Sequence, residues 1–238
     1  MTRISIESRP NRPLLKTEAG ALIPRLITSN YDHARVALVA GGALLLGGDL
    51  VEIEITVGKN CSLEIEEIGG TVAYDADLLE SNWNVRITLE ENARLIWQGL
   101  PFVVSNGANV LRSTEIDLAA GAVACIRETI VLGRHAELGG KILSKCRARL
   151  IGKLALVEEI QLDGNQGMPG ILGDHRVLDS CLLLGDRSDN DESEPRVLQL
   201  EQPGSMARHI GMDTHNSRVT KLWSEWAGQV TALAQINK

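Results

Sequence analysis

Apolar and polar residues alternate with a period of two over much of the chain, and three segments repeat one pattern. The segments ITVGKNCSLEI from Ile55, ITLEENARLIW from Ile87 and IDLAAGAVACI from Ile116 superimpose without a gap, and their starts are 32 and 29 residues apart. Alternate side chains of a strand point to opposite faces, so each strand has one apolar face. A repeated strand–turn–strand unit buries that face against its next copy. The pattern predicts a mainly β protein of stacked strand–turn–strand repeats, β-solenoid-like or multi-sheet.

The apolar run VALVAGGALLLGGD, from Val36 to Asp49, contains two Gly-Gly pairs. It is too short to span a membrane, which takes about 20 apolar residues. The first glycine pair predicts a buried strand, a tight turn and a second buried strand. The second pair brings Asp49 to the exit of an apolar element, where a carboxylate is costly unless it is paired, hydrated or bound to a cation. An ordinary aspartate in a turn at a strand end is the alternative.

Two charged stretches are interpreted as surface features. Residues Lys141–Leu150 predict a half-exposed strand whose outer row is basic, with Lys145, Arg147 and Arg149. Such a row is typical of a solvated face, and a surface for an acidic partner is the alternative. The acidic, turn-rich stretch Asp186–Pro195 predicts a mobile surface loop rather than a metal site, because it shows no fixed ligand spacing.

The C-terminal part changes from strand to helix periodicity. From Ser217 the apolar residues recur at helical spacing and predict a helix of about 20 residues, with Asn216 or Ser217 as N-cap; they are Val219, Leu222, Trp223, Trp226, Val230 and Leu233. We therefore divide the chain into a β-rich scaffold, residues 1–200, and a C-terminal helical segment, residues 201–238. Trp223 and Trp226 either dock this helix on the β-domain or bind a partner protein, since tryptophan is enriched in interface hot spots.

Composition narrows the classes of partner. The 238 residues carry a net charge of −7 and include one Phe, two Tyr and four Trp. Phosphate binding needs clustered Lys and Arg, so a nucleic-acid partner is not expected. No segment resembles a signal peptide or a membrane span. The four cysteines form no C-x-x-C pair, and we expect buried, reduced thiols in a cytoplasmic protein.

Motifs of known catalytic or nucleotide-binding sites are absent from the sequence: G-x-S-x-G, G-x-x-x-x-G-K and H-E-x-x-H do not occur. The segment HIGMDTH could offer His209, Asp213 and His215 as weak ligands to a divalent metal, and a solvated turn before the last helix explains them equally well. We predict that the protein is not an enzyme. A small β-solenoid enzyme that uses a glutamate pair for acid–base chemistry is one alternative, and a purely structural adaptor is another.

Acidic residues inside apolar strands are the strongest candidates for a functional site. Glu128 lies in VACIRETIVLGR and Glu158 in LALVEEIQL, each between apolar neighbours, while Arg127 and Arg134 could pair with them. Internal salt bridges would account for these residues. Together with Asp49, however, they could line a polar passage in which widely spaced oxygen ligands and water hold a divalent cation weakly.

Six blocks, taken in order, resemble the urease accessory protein D family, also called UreH. They are GALLLGGDLVEIEITVG, GGTVAY, RETIVLGRHAELGG, LALVEEIQLDG, GDHRVLDSCLLLG and LEQPGSMARHIGMDTH, and together they cover most of the chain. One block departs from the family pattern G-R-x-x-x-G-E, because this chain has GRHAELGG; Glu137 is the acid that could substitute for the missing glutamate.

The resemblance implies a non-enzymatic, β-rich scaffold for urease maturation without a tightly bound cofactor. Its partners would be accessory protein F, the GTPase accessory protein G and apo-urease, and a homodimer within that assembly is one alternative for the oligomeric state. It implies transient Ni²⁺ in an internal tunnel and, by matching positions, names Asp49, Thr71, Glu128 and Glu158 as passage residues. Arg134 matches the arginine of the family's G-R pair and would be a structural partner of the acids.

Overall fold

The computed structural model describes residues 1–9, 13–166, 169–188 and 197–236. The described chain forms two stacked β-sheets and one C-terminal helix. The elements are β1 (Thr2–Glu7), β2 (Leu14–Glu18), β3 (Leu22–Asn30), β4 (His33–Ala40), β5 (Leu50–Val57), β6 (Ser62–Glu67), β7 (Thr71–Ala73), β8 (Ser81–Leu89), β9 (Arg94–Val104), β10 (Asn109–Leu118), β11 (Val123–Leu132), β12 (Lys141–Leu150), β13 (Lys153–Asp163), β14 (Val177–Leu184), β15 (Val197–Gln199), β16 (Gly204–Gly211) and α1 (Val219–Ile236).

The strands are divided between two sheets, which we call sheet A and sheet B. Sheet A has the order β13-β12-β10-β8-β5-β1-β2, and sheet B has the order β15-β16-β14-β11-β9-β6-β4-β3, with β7 beside β9. Strands β5, β8 and β10 run parallel in sheet A, and each continues across a short turn into β6, β9 or β11, which run parallel in sheet B. The predicted mainly β, solenoid-like architecture is confirmed.

The register of the sheets matches the superposition of the three repeats. Ile55 lies opposite Ile87, and Ile87 lies opposite Ile116, so equivalent repeat positions are direct neighbours in sheet A. In sheet B the last repeat positions also align, with Ile65 opposite Trp97. Neighbouring coils therefore cover each other's apolar faces between the sheets, where these side chains are buried.

The turns between the paired strands also repeat. Asn60, Asn92 and Gly121 occupy the same position of the three repeats and have φ of 57°, 56° and 69°. Asparagine and glycine are the residues that adopt this left-handed conformation most readily. Asn92 Nδ2 donates a hydrogen bond of 3.1 Å to Asn60 Oδ1. A Cβ on Gly121 would lie 2.2 Å from Asn92 Oδ1, so the third turn needs glycine.

The apolar run from Val36 to Asp49 is only partly a strand. Its first half belongs to β4, but residues 41–49 form a loop, so the prediction of a second buried strand there is wrong. Leu45 is buried with φ of 59°, a conformation that ends strand geometry. The predicted loop Asp186–Pro195 lies mostly outside the described residues, which end at position 188 before the gap.

Helix α1 packs on the outer face of sheet B, against β9, β11, β14 and β16. Ser217 Oγ accepts a hydrogen bond of 3.3 Å from the backbone N–H of Val219, which confirms Ser217 as a residue that caps the helix. Trp223 and Trp226 are buried together with Cys125 and Cys181 in the cluster beneath the helix. Strand β16 belongs to the segment 201–238 and pairs with β14 of sheet B over its whole length.

Candidate functional site

A cavity of about 50 Å³ lies between the two sheets at the C-terminal end of the stack. It is bounded by β10, β12 and β13 of sheet A and by β11, β14 and β16 of sheet B. A cavity needs roughly 10–15 Å³ to hold one water molecule, so this one has room for a few. Its polar lining residues are Thr114, Glu128, Ser144, Cys146, Glu158, Ser180 and Arg208. Glu128 and Glu158, which the sequence singles out separately, are therefore brought to the same internal cavity.

Glu128 reaches the cavity because it shares the inward face of β11 with Ile126 and Ile130. Its Oε1 accepts a hydrogen bond of 2.6 Å from Arg112 Nη2 on β10 of the opposite sheet. The Arg112 guanidinium also lies 5.3 Å above the Phe102 ring, a cation–π distance. Its Nε and Nη1 are buried without a hydrogen-bond partner among the described residues. The pair therefore joins the two sheets and leaves polar atoms that internal water can satisfy.

Glu158 is held by a second arginine. Arg208 of β16 donates two hydrogen bonds, of 2.9 and 2.8 Å, to the two carboxylate oxygens of Glu158 on β13. The Arg208 Nε donates a third bond, of 3.0 Å, to Ser180. This bidentate pair again joins sheet A to sheet B. Because the side chains of Glu158 and Arg208 are 26% and 27% exposed, water reaches the pair.

Cys146 lines the same cavity between the two pairs. It lies on β12 directly opposite Glu158 of β13 in the register. Burial, together with the negative charges of Glu128 and Glu158, raises the pKa of the Cys146 thiol to about 12. The thiol is therefore protonated at neutral pH. All four cysteines are free, and the three others, Cys61, Cys125 and Cys181, are buried.

Glu67 at the end of β6 is an interior acid that the sequence analysis missed. Its Oε1 accepts a hydrogen bond of 3.2 Å from Trp97 Nε1, and its Oε2 accepts one of 2.9 Å from the Leu100 N–H. Burial raises the pKa of Glu67, which is also influenced by the charges of Arg112 and Glu128. The strand alternation that turns Leu63 and Ile65 inward could have identified it. Glu67 thus neighbours the Arg112–Glu128 pair, and Glu128 shares the cavity with Glu158 and Arg208; we call Glu67, Glu128 and Glu158 the interior acids.

Two of the predicted passage residues lie elsewhere. Asp49 is the last residue of a turn that begins at Leu46. Its carboxylate accepts a hydrogen bond of 2.9 Å from the Leu46 N–H. Thr71 begins β7 and lies opposite Phe102 of β9. Neither residue lines the cavity that contains Glu128 and Glu158. The local partner of Asp49 favours the alternative of an ordinary turn aspartate, because the carboxylate is bound by the backbone N–H of Leu46 in its own turn.

Arg134 is not the partner of the interior acids. It is exposed and donates hydrogen bonds of 2.9 and 2.6 Å from its Nε and Nη2 to Glu137 Oε1 in the same turn. These bonds lower the pKa of Glu137 to about 2. Arg127, the other predicted partner, binds Asp179 instead, with distances of 3.1 and 2.7 Å. The prediction that Arg134 pairs with the acids is therefore wrong, because Glu137 lies within reach three residues away.

The buried Asp179 ties helix α1 to sheet B and has no counterpart in the sequence analysis. It is fully buried and accepts hydrogen bonds from Thr129 (3.0 Å) and Ser217 (2.5 Å) in addition to Arg127. Arg127 also donates to Thr220 at 3.1 Å, in the first turn of the helix. This cluster fixes the start of α1 on β11 and β14.

The tryptophans and the histidine segment do not form the predicted external sites. Trp223 and Trp226 are only 6% and 1% exposed, so their use as partner-binding anchors is wrong for this structure, and they are part of its own core. No group of three or more His, Cys, Asp or Glu residues could hold a metal ion in the described part of the chain, which excludes a ready cluster of His209, Asp213 and His215. Asp213 instead accepts two hydrogen bonds of 3.0 Å from Asn216.

Comparisons with known proteins agree with the resemblance of the six sequence blocks. The family model described as "UreD urease accessory protein" matches residues 7–235. Urease accessory protein UreD 1 of Streptomyces griseus is 39% identical over 189 residues, 79% of this chain and 74% of that protein. Urease accessory protein UreD 2 of Saccharopolyspora erythraea is 29% identical over 78% of this chain and 67% of its own length. In the described residues, no helix is long and apolar enough to cross a membrane. The chain belongs to the UreD family of urease accessory proteins.

Proposed function

We propose that this chain is a non-enzymatic scaffold that helps to load nickel into urease. Ni²⁺ is its cargo and passes along the interior acids, Glu67, Glu128 and Glu158. The observation that carries this proposal is the polar-lined cavity in which Glu128 of sheet B faces the side of sheet A that carries Glu158. Carboxylate oxygens and water are ligands that bind divalent cations, and a site built from few of them binds loosely.

The arginine partners weaken cation binding in the cavity and so count against storage; they are also the internal salt bridges that account for these acids without a cation. Each cavity carboxylate already shares its negative charge with a guanidinium, Arg112 or Arg208. A cation must compete with that partner, so its residence at either acid is short. Glu128 still has one oxygen, Oε2, that accepts no hydrogen bond among the described residues, because Arg112 contacts Oε1 alone. That oxygen is the first point at which a cation in the cavity can bind without breaking an ion pair.

The companions of the scaffold are proposed from the family resemblance. They are accessory protein F, the GTPase accessory protein G and apo-urease. The names of the relatives, which are urease accessory proteins, support a role in urease maturation. The isolated chain should show no substrate turnover and should not retain nickel through gel filtration.

The test combines Glu128→Gln and Glu158→Gln in one variant. Glutamine keeps the volume and an acceptor oxygen but removes the negative charge that attracts a cation. Wild type and variant are co-expressed with urease and its companion proteins, and both the assembly formed and the nickel content of the purified urease are measured. We expect the assembly to form and the urease to contain less nickel. Glu159→Gln is the matched control, because Glu159 is the next residue of β13 and pairs with Lys145 on the exposed face.

Full nickel loading by the double variant, with an intact assembly, would refute the passage through the cavity. Loss of the assembly itself would show that the acids act in folding or docking. Low nickel content in both the double variant and the Glu159→Gln control would assign the effect to general surface charge.

A further inference from the structure

The two ends of the solenoid differ in the apolar surface they expose. At one end, the turn end, short turns join the strands; they are 58–61, 90–93 and 119–122. At the other end, which we call the loop end, the chain returns through longer connections such as 41–49, 74–80 and 133–140. Seven of the seventeen large apolar side chains that are exposed in the described residues lie in or beside the loop-end connections: Leu46, Leu50, Leu78, Leu79, Leu138, Ile171 and Met212. Tyr31 and Ile151 lie in turns at the other end, and Leu26, Ile27, Leu154, Val157 and Leu198 lie on strands.

Four of these residues form the leucine patch, which we define as Leu46, Leu50, Leu78 and Leu79. They come from two neighbouring connections that are fixed to each other. The Tyr74 N–H donates to the Leu45 carbonyl at 3.2 Å, and the Asn82 N–H donates to the Asp49 carbonyl at 2.7 Å. A Cβ on Gly47 would lie 2.1 Å from the Ala76 carbonyl oxygen, so the two connections are in close contact. The leucines are therefore presented by a hydrogen-bonded surface.

The backbone of the connection 74–80 places the apolar side chain of Leu78 in water. Leu78 is 97% exposed, and both it and the preceding Asp77 have positive φ, 69° and 45°. Leucine rarely adopts this conformation, and burial does not compensate for it here. Unfavourable backbone conformations of this kind cluster at functional sites. Solvent-exposed apolar patches with polar borders mark interaction surfaces.

The border of the leucine patch is mainly acidic, although Lys141, which lies 3.8 Å from Asp163, lines the same recess as Leu78 and Asp77. Residues 41–50 and 74–81 contain four acids and neither lysine, arginine nor histidine. The acids are Asp49, Asp75, Asp77 and Glu80, of which Asp75, Asp77 and Glu80 are exposed and Asp49 is half-buried. Complementary interfaces pair a negative border with a positive one. The chemistry of the occupant follows: an apolar surface bordered by lysine or arginine.

A second copy of the chain is a poorer occupant. The chain's own basic and apolar surface lies on another face, where Arg147 of β12 neighbours Val157 of β13 and Leu154 lies nearby. A contact between that face and the leucine patch would join different surfaces of two copies. Such a head-to-tail contact builds a filament or a ring, and does not form a closed dimer.

We propose that the leucine patch is a docking surface for a partner protein that presents an apolar face bordered by basic residues. The proposal rests on the proposed scaffold function and adds the surface and the chemistry of the partner. It concerns the loop end, which is separate from the interior acids. Docking there leaves the cavity residues and their arginine partners unchanged.

The experiment measures binding of purified accessory protein F, accessory protein G and apo-urease, each alone and in combination, to the full chain. Leu78→Asn with Leu79→Asn removes the apolar surface, and asparagine tolerates the positive φ at position 78. We expect about tenfold or greater weakening of binding to at least one companion, as for hot-spot residues, with thermal stability maintained. Leu154→Asn is the matched control, since Leu154 is 57% exposed and Leu79 is 58% exposed.

A second variant tests the charge of the partner. Asp77→Asn with Glu80→Gln should weaken binding at low salt and reduce its salt dependence. Unchanged affinity and salt dependence would overturn the assignment of a basic partner.

The remaining outcomes separate the two proposals. If wild type binds a companion and the leucine variant binds equally well, the docking surface is refuted and the scaffold function stands. If wild type binds none of the three companions, alone or in combination, the scaffold function fails and the docking surface fails with it. Self-association of wild type that the leucine variant abolishes would assign the patch to a second copy and overturn the proposed partner.

Discussion

Replacing Asp179 by asparagine should strongly destabilise the attachment of helix α1. Asp179 is 0% exposed and its partner Arg127 is 11% exposed, so neither charge is appreciably screened by water. Removing one partner of a buried ion pair costs about 3–5 kcal/mol, because the other charge remains buried and uncompensated. Asparagine keeps the volume and can still accept a hydrogen bond from Ser217, so we expect the lower end, about 3 kcal/mol. For a chain of this size, that loss lowers the melting temperature by roughly 6–12 °C.

The assay is equilibrium unfolding in urea, followed by tryptophan fluorescence, because Trp223 and Trp226 lie beneath the helix. Asp213→Asn is the control, since Asp213 is exposed and should change the free energy of unfolding little. In the double variant Arg127→Met with Asp179→Leu, both charges are replaced by apolar groups, and the loss should be smaller than for Asp179→Asn. A loss below about 1 kcal/mol for Asp179→Asn, the value of an exposed pair, would refute the reasoning.

Three further predictions concern the helix, the loop end and the cavity. Trp226→Ala should lower the free energy of unfolding by about 3–5 kcal/mol, since this side chain is 1% exposed; a loss near zero in urea unfolding would contradict its place in the core. Gly47→Ala should lower the free energy of unfolding by about 2 kcal/mol, because its Cβ would meet the Ala76 carbonyl. The control is Gly42→Ala, whose Cβ would have no atom within 4 Å and which should leave the stability unchanged or slightly raised. Equal melting temperatures of the two variants would refute the clash. The Cys146 thiol, with its pKa raised to about 12 from an ordinary 9.0, contributes stability that is complete below pH 9 and is lost as the pH rises towards 12. Native protein should therefore react slowly with iodoacetamide at Cys146 at pH 8, and rapid labelling detected by mass spectrometry would contradict the assignment.

The candidate site shows where sequence-based reasoning reaches its limit. The inward position of Glu128 and Glu158 follows from strand alternation, and both face the cavity as that alternation requires. Their arginine partners could not be predicted from alternation. Arg112 is 16 residues from Glu128 and Arg208 is 50 residues from Glu158, and each arginine lies on the sheet opposite its glutamate. Which arginine faces which glutamate depends on how the two sheets stack.

Two predictions are wrong because of the local surroundings of the residues. Arg134 pairs with Glu137 because a turn brings residues three apart together. The apolar residues 43–46 predict a strand, but no strand of the described residues pairs with them, so their backbone follows a loop. A strand is stable only when its backbone groups are paired, and apolar composition alone does not supply that pairing.

The sequence by itself determined the repeating part of this protein: the coil length, the equivalence of Ile55, Ile87 and Ile116, the turn positions and the C-terminal helix. Each follows from the local periodicity of apolar positions. In the strand repeats, each copy buries these positions against the next copy. Only the tertiary structure decided that Trp223 and Trp226 face inward, and that Glu128 and Glu158 are paired with Arg112 and Arg208. These depend on contacts between elements far apart in the chain, because burial and charge pairing are properties of the assembled sheets.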